Sequence, residues 1–135
     1  MSFSNTVETA VLNQVFVGTA LSWNGNANLW IALHTADPGE TGTAVTSEAT
    51  YGSYARIALA RATDFSVVGN QVSNANLEQF AQCSSGSNTI THASIVDTSS
   101  GAGNIIVRAT LNTPIPVSTG IQPQFAANGL SFTLD

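Results

Sequence analysis

The stretch TITHASIVDTSSGAGNIIVRATL, residues 89–111, decides the fold of this chain. Its two ends, Thr89–Asp97 and Ile105–Leu111, are short runs rich in β-branched residues, which favour strands. Between them lies Ser99–Gly103, whose serines and glycines are typical of a flexible chain reversal. The stretch therefore predicts two antiparallel strands at the centre of the hydrophobic core.

Further short strands are predicted on both sides of this pair. The dipeptide Gly69-Asn70 between two apolar runs predicts a two-residue hairpin. Turn signals at short intervals favour a mainly β, antiparallel, jelly-roll-like sandwich over a parallel α/β fold, and one domain is predicted over residues 1–135. The other predicted strands are Leu29–Thr35, Tyr54–Ala60, Asp64–Val68, Gln71–Asn74, Leu77–Phe80, Ile115–Val117 and Leu130–Leu134.

One helix is predicted at the N-terminus, over Asn5–Leu21. Asn5 is a suitable N-cap, and Glu8 follows three residues later as in a capping box. Val7, Val11 and Val15 recur at helical spacing. Because this helix carries many apolar residues, we expect it to be largely buried against an open face or edge of the sheets.

The composition excludes several classes of function. The 135 residues include 3 Arg, no Lys and 8 acidic residues, for a net charge of −5. So few cations cannot neutralise many phosphates, which argues against nucleic acids and anionic membranes as partners. We expect no membrane span and no signal peptide, because neither a long apolar run nor a basic N-terminal region is present.

No catalytic residue, cofactor site or metal site is predicted. Cys83 is the single cysteine, so an internal disulfide and a cysteine metal site are excluded. His92 lies in a strand, where a histidine satisfied by a neighbour is the usual case. The eight acidic residues are scattered along the sequence rather than paired as a glycosidase requires.

His34 and the segment that follows it, Thr35–Gly42, offer residues that could be given a chemical role. His34, Asp37 and Glu40 could serve a metal or a general base. However, Asp37 followed by Pro38 and a glycine is also the composition of a tight turn. The turn interpretation is favoured.

The segment Tyr51–Arg56 is the densest cluster of residue types found at protein interfaces. Aromatic side chains with an arginine are typical of interaction hot spots. The same residues could equally flank a bend and fix a loop inside the protein. Both interpretations stay open on the sequence.

The segment Leu33–Thr43, LHTADPGETGT, followed by Gly52–Arg56, GSYAR, resembles a family of small structural proteins of tailed bacteriophages. The resemblance implies a non-enzymatic virion protein that is assembled in the host cytoplasm. Where such proteins often carry an aromatic-glycine pair, this chain has Cys83–Asn88. The candidate protein-interface residues are His34, Asp37, Pro38, Glu40, Tyr51, Tyr54 and Arg56.

Within that family, the expected role is capsid decoration, as a cement protein that stabilises the head shell. The alternative is a tail-fibre or tail-adaptor protein, and a remoter one is a cell-surface polymer hydrolase or carbohydrate-binding module. The expected partners are further copies of the chain, in a homotrimer, and the major capsid protein or another virion protein. Self-association is expected because a chain with 43% hydrophobic and 8% charged residues presents apolar surface.

Overall fold

The computed structural model describes residues 2–134. The elements follow the order β1 (Ser2–Phe3), α1 (Asn5–Phe16), β2 (Asn28–His34), β3 (Ile57–Ala60), β4 (Phe65–Val68), β5 (Gln71–Asn74), β6 (Glu78–Gln79), β7 (Ser87–Val96), β8 (Ile105–Ser118), β9 (Gln124–Phe125) and β10 (Ser131–Thr133). All the strand pairs of these elements are antiparallel. The prediction of a mainly β, antiparallel chain with one N-terminal helix is confirmed, while the jelly-roll topology stays a prediction.

Three sheets build the β body. A five-stranded sheet has the order β1-β8-β7-β2-β3, a three-stranded sheet has the order β10-β5-β4, and β6 pairs with β9. The predicted central pair, β7 and β8, lies inside the five-stranded sheet. Gly69 and Asn70 form the two-residue turn of the β4–β5 hairpin, as predicted, since Val68 pairs with Gln71.

The core lies on one face of the five-stranded sheet. On β2, Ile31 and Leu33 point into a cluster that also contains Phe80, Phe125 and Phe132 from the other two sheets or their borders. Successive side chains of a strand point to opposite faces, so Ala32 and His34 lie on the outer face. There Ala32 belongs to a second, smaller buried cluster, with Ala44, Val96 and Ile105.

Strand β8 is longer than predicted. The separate strands predicted at Ile105–Leu111 and Ile115–Val117 are one strand, Ile105–Ser118. The register against β7 shifts between the pairs Ile90–Ile115 and His92–Thr110, and this bulge accommodates the extra residues. The short strands β1 and β9 were not predicted, because a strand of two residues is too short to show an alternation of apolar and polar side chains.

Helix α1 differs from the prediction in length and in burial. It ends at Phe16 rather than Leu21 because Gly18 takes a left-handed φ of 77°, and the Thr19 N–H turns back to the Asn13 carbonyl at 3.2 Å. The expectation of a largely buried helix is wrong, because Val7 is its only buried residue among those described. The first turn of α1 is anchored to the β body, and the rest of the helix projects into solvent.

Candidate functional site

The segment of residues 35–49 folds back over the outer face of the five-stranded sheet. The Thr35 N–H donates to the Ser47 carbonyl at 2.8 Å, and the Ala49 N–H donates to the Leu33 carbonyl at 2.9 Å. Ala44 is fully buried in the small cluster on that face. The segment that holds three of the seven candidate residues is therefore part of the packed body.

His34 lies beneath this segment and is fully buried. Its Nδ1 lies 2.9 Å from the Thr46 carbonyl oxygen and its Nε2 lies 2.7 Å from the Ser94 hydroxyl. A neutral ring satisfies both contacts, with Nδ1–H donating to the carbonyl and Nε2 accepting from the hydroxyl. Burial lowers the pKa of His34, which favours this neutral form.

The His34–Ser94 contact has the geometry of a general base beside a nucleophile. Both residues have no exposed surface. A substrate therefore has no access to the Ser94 hydroxyl in this structure, and the pair acts as a buried link between β2, β7 and the segment above them.

Asp37 and Glu40 bind one arginine of the sheet. Arg108 Nε lies 2.8 Å from Asp37 Oδ1, and its Nη2 lies 2.7 Å from Glu40 Oε1. The pKa of Asp37 is lowered, chiefly by the hydrogen bond from the Gly39 N–H and to a smaller extent by Arg108. The Asp37–Gly39 hydrogen bond of 2.9 Å and the buried Pro38 agree with the predicted turn. The two carboxylates, 52% and 43% exposed, remain accessible to a partner.

Arg56 is an internal clamp rather than an exposed anchor. Its guanidinium binds both carboxylate oxygens of Glu48, at 2.7 and 2.8 Å, and the carbonyls of Thr98 and Gly101, at 3.0 and 2.8 Å. Only 2% of the Arg56 side chain is exposed. The residue thus joins the segment over the sheet to the entrance of β3 and to the β7–β8 turn.

The two tyrosines extend the aromatic core. Tyr51 and Tyr54 meet edge to face with ring centroids 5.4 Å apart, and Tyr54 stacks on Phe80 at 6.1 Å. The Tyr54 hydroxyl accepts from the Leu33 N–H and donates to Glu48, each at 3.0 Å. Burial raises the pKa of Tyr51 to about 12 and also raises the pKa of Tyr54.

The bend between these tyrosines rests on the segment that departs from the family resemblance. A Cβ at Gly52 would collide with Ser84 and Ser85, so only glycine allows this approach. The Gly52 N–H donates to the Ser85 carbonyl at 2.8 Å. The structure therefore places Tyr54 and Arg56 around Glu48. It places Asp37 and Glu40 around Arg108, while His34 and Tyr51 bond other groups of the chain. The role of the seven candidates at an interface stays a prediction.

The remaining titratable residues do not assemble into a recognisable centre. Among residues 2–134, no group of three or more His, Cys, Asp or Glu side chains is placed to hold a metal ion. Cys83 is buried, with its thiol 3.2 Å from the Ser85 carbonyl oxygen. Burial, and then the Asp64 charge, raises the pKa of Glu78. The Asp64 carboxylate, however, already accepts the Ala60 N–H at 2.8 Å within its own turn.

The surface feature that the sequence did not reveal is the exposure of the apolar side chains of helix α1. Its apolar residues lie in solvent, with Phe16 79% exposed and Val15 66% exposed. The sequence shows that apolar residues recur at helical spacing, but this spacing does not indicate whether the rest of the chain buries them. One further signal was available in the sequence, because Gly18 is a residue that commonly follows the end of a helix, and it precedes Leu21. The exposed apolar residues of α1 and of the residue after it are Val11, Leu12, Val15, Phe16 and Val17.

None of the helices between residues 2 and 134 has both the length and the apolar character needed to cross a membrane.

Comparison with known proteins gives one family. A family model described as podophage GP4 fiber I protein gp80 matches residues 2–133. A search of curated proteins returned no match. The matched range includes the β body and the projecting helix alike.

Proposed function

We propose that this chain, which belongs to the family of the podophage GP4 fiber I protein gp80, is a non-enzymatic subunit of the tail fibre. Membership in that family supports a structural role in the phage virion. The description of the family as a fibre protein, matched over residues 2–133, is the observation that carries the tail-fibre assignment. The protein would then be assembled into virions in the host cytoplasm.

The polar chemistry of the body is consistent with a structural subunit. All three arginines of the sequence bind groups of the chain itself, since Arg61 donates to the carbonyls of Trp23, Asn24 and Asn26 while Arg56 and Arg108 bind acidic side chains. A Ser-, Thr- and Asn-rich surface offers hydrogen bonds to neighbours with a smaller desolvation cost than charges.

Three grooves on the surface also favour a structural role over hydrolysis. Their linings contain Ser, Thr, Asn, Gln, Gly and apolar residues and no titratable side chain. A hydrolase acting on cell-surface polymers needs two carboxylates facing one groove. None of these three grooves provides such a pair.

Capsid decoration is the second candidate, and a specific observation favours it. Residues 2–134 form a β body with one helix of 12 residues and no long coiled-coil helix, a shape that suits a protein repeated over a head shell. A cement protein needs a compact fold and many copies. The two roles differ sharply in copy number, because shell sites and fibre sites follow different symmetries.

Purified virions would distinguish the two roles. We expect gold-labelled antibody against this chain to bind at the tail, and quantitative mass spectrometry to give a copy number in the tens. Label over the head surface with copies in the hundreds would overturn the tail-fibre proposal and support decoration. Virions assembled without this protein serve as the labelling control.

A further inference from the structure

Two asparagines of the chain are followed directly by glycine, at Asn24-Gly25 and at Asn128-Gly129. An asparagine in this position can lose its side-chain amide, because the backbone nitrogen of the next residue is held close to the side-chain carbon Cγ. Glycine has no Cβ to shield that nitrogen, and it lets the backbone turn toward the side chain. Both dipeptides are exposed, so residue type and exposure do not distinguish them.

The reacting groups of Asn128-Gly129 are both held by hydrogen bonds. The Asn128 Oδ1 accepts the Ser73 hydroxyl at 2.9 Å, which fixes the side chain. The Gly129 N–H donates to the Ala126 carbonyl at 2.8 Å, which fixes the nitrogen. The backbone N–H of Asn128 also donates to the Asn74 carbonyl at 2.8 Å. A reaction between the side chain and the nitrogen must first break the bonds that hold them.

The reacting groups of Asn24-Gly25 have no such partners. Within residues 2–134, neither the Asn24 side chain nor the Gly25 N–H makes a hydrogen bond. The peptide unit between them is held at its carbonyl, which accepts from Arg61 Nη1 at 2.9 Å. Because Arg61 is exposed, this single restraint is one that water can replace.

The space around Gly25 is open. A Cβ at this position would have no atom beyond its chain neighbours within 4 Å, and the φ of Gly25 lies outside the left-handed region. At Gly129, in contrast, a Cβ would lie 2.9 Å from the Ala126 carbonyl oxygen. The fold therefore does not require glycine at position 25, and the open space leaves the reacting atoms of Asn24 accessible to water.

We propose that Asn24 is a site of spontaneous covalent modification, at which the folded protein loses the side-chain amide through a cyclic imide. The Gly25 nitrogen loses its proton to solvent and forms a bond to Asn24 Cγ, while the Cγ–Nδ2 bond breaks and ammonia leaves. Water then opens the ring at one of its two carbonyl carbons. Opening at Cγ gives aspartate, and opening at the main-chain carbonyl carbon gives isoaspartate, whose backbone is one carbon longer. The steps consume water alone and do not depend on where the protein lies in the virion.

The modification changes the contacts of Arg61. Its Nη1 donates to the carbonyls of three residues of this turn, at 3.2, 2.9 and 3.0 Å, and they are Trp23, Asn24 and Asn26. Either product adds a carboxylate beside this guanidinium. The extra backbone carbon of isoaspartate also changes the spacing of the carbonyls that Arg61 binds together. Arg61 slows the reaction in turn, since its hydrogen bond to the Asn24 carbonyl resists rotation of the peptide unit.

The test follows the purified full chain by mass spectrometry at mildly alkaline pH and physiological temperature. Trypsin digestion of the unfolded protein then places the two asparagines in separate peptides, residues 1–56 and 109–135. Replacement of the amide NH2 by OH raises the peptide mass, and chromatography separates aspartate from isoaspartate. In the folded protein Asn24 should react at least about tenfold faster than Asn128, whose reacting groups are held by two hydrogen bonds. In urea the two rates should become similar.

Three variants identify the groups that set these rates. Gly25→Ala shields the nitrogen where the structure has room for a Cβ, so it should lose most of the reaction at Asn24 and leave Asn128 unchanged. Arg61→Ala should accelerate the reaction at Asn24 by about fivefold, the equivalent of one hydrogen bond. Ser73→Ala is the matched control, because it should accelerate the reaction at Asn128 alone.

The contrary results are equally definite. An Asn24 that keeps its amide in the folded protein, while it reacts in urea, would overturn the proposal. Equal rates at Asn24 and Asn128 in the folded protein would also overturn it, because the structure would then not select the site. A Gly25→Ala chain that reacts as fast as wild type would exclude ring closure by the backbone nitrogen. Circular dichroism checks that each variant remains folded during the incubation.

Discussion

Residues 34–56 and helix α1 show opposite relations between residue type and location. The first segment contains the histidine, arginine and tyrosines that resemble an interaction site, and most of them are buried in contacts with the chain itself. The helix contains the valines, leucine and phenylalanine that resemble core, and most of them are exposed. Residue type alone therefore misplaces both regions.

The two regions differ in how many groups of the chain lie close enough to contact their side chains. The segment of residues 35–49 lies on a sheet face that provides Arg108, Ser94 and backbone groups as partners. Helix α1 leaves the sheet edge after one turn, and no second layer formed by residues 2–134 covers the rest of it. Polar side chains are therefore paired where partners lie close, while most apolar side chains of the helix are exposed.

The largest expected effect is that of removing the clamp at Arg56. Arg56→Ala removes the cation that binds both Glu48 oxygens and two carbonyls, and it leaves Glu48 only the Tyr54 hydroxyl as a side-chain donor. Breaking such a pair should cost about 3–5 kcal/mol of unfolding free energy. Urea unfolding measures this cost. Arg61→Ala is the matched control and should cost much less, because Arg61 is exposed and pairs with carbonyls only. Equal costs for both variants would contradict the clamp.

A smaller loss is expected for the Tyr54 hydroxyl. Tyr54→Phe keeps the ring stacked on Phe80. It removes the hydrogen bond that the Leu33 N–H donates and one of the hydrogen bonds that Glu48 accepts. The expected cost is about 1–3 kcal/mol by chemical unfolding. Tyr51→Phe provides the comparison, since its hydroxyl makes one longer contact of 3.2 Å to Ala81. A Tyr54→Phe protein as stable as wild type would show that this hydroxyl is replaceable by water.

The buried His34 predicts a dependence of stability on pH. Because burial lowers the pKa of His34 below 6.5, the unfolded chain binds more protons than the folded chain just below that pH. The contribution of the neutral ring is complete above pH 6.5 and is lost as the pH falls toward the folded-state pKa. The slope for one proton is at most about 1.4 kcal/mol per pH unit.

Unfolding free energies between pH 7 and pH 5 check this expectation. The slope should become smaller in His34→Gln, which removes the titrating group from the outer face. Titration of the His34 ring by NMR gives a direct second reading of its pKa. An unchanged slope in His34→Gln would assign the dependence to other groups.

The smallest expected effect is at the end of the helix. Phe16→Ala should change the unfolding free energy of the dilute, monomeric chain by no more than about 0.5 kcal/mol, because the side chain is 79% exposed. Val7→Ala, in the anchored turn, should cost about 2 kcal/mol. If Phe16→Ala costs as much as Val7→Ala in the monomer, the helix packs on its own body.

Much of the strand arrangement could be predicted from the sequence. The strand Gln71–Asn74 and its hairpin were located correctly, because a two-residue turn between apolar runs is a local signal. Strand β8, which contains Pro114 and Pro116, was instead predicted as two strands. Only Val107 and Arg108 of β8 pair with β1, so the later part of β8 has a free edge on which proline is tolerated.

The candidate site was predicted less well, for a reason that lies in long-range contacts. Arg56 meets Glu48 nearby in sequence but also Thr98 and Gly101, and His34 meets Ser94 across 60 positions. No local sequence pattern predicts contacts between residues so far apart in the sequence. Helical spacing likewise shows that α1 has an apolar face without showing whether that face is covered by the same chain.

The internal pairing of the arginines has a consequence for digestion. Trypsin cleaves after Lys and Arg, and this chain offers three such sites, at Arg56, Arg61 and Arg108. The side chains of Arg56 and Arg108 are 2% and 12% exposed and lie in ion pairs, so a protease pocket cannot take them while the fold persists. The turn at Arg61 remains as the one accessible site. A particle built from such chains would pass through a trypsin-rich medium with few places at which it could be cut.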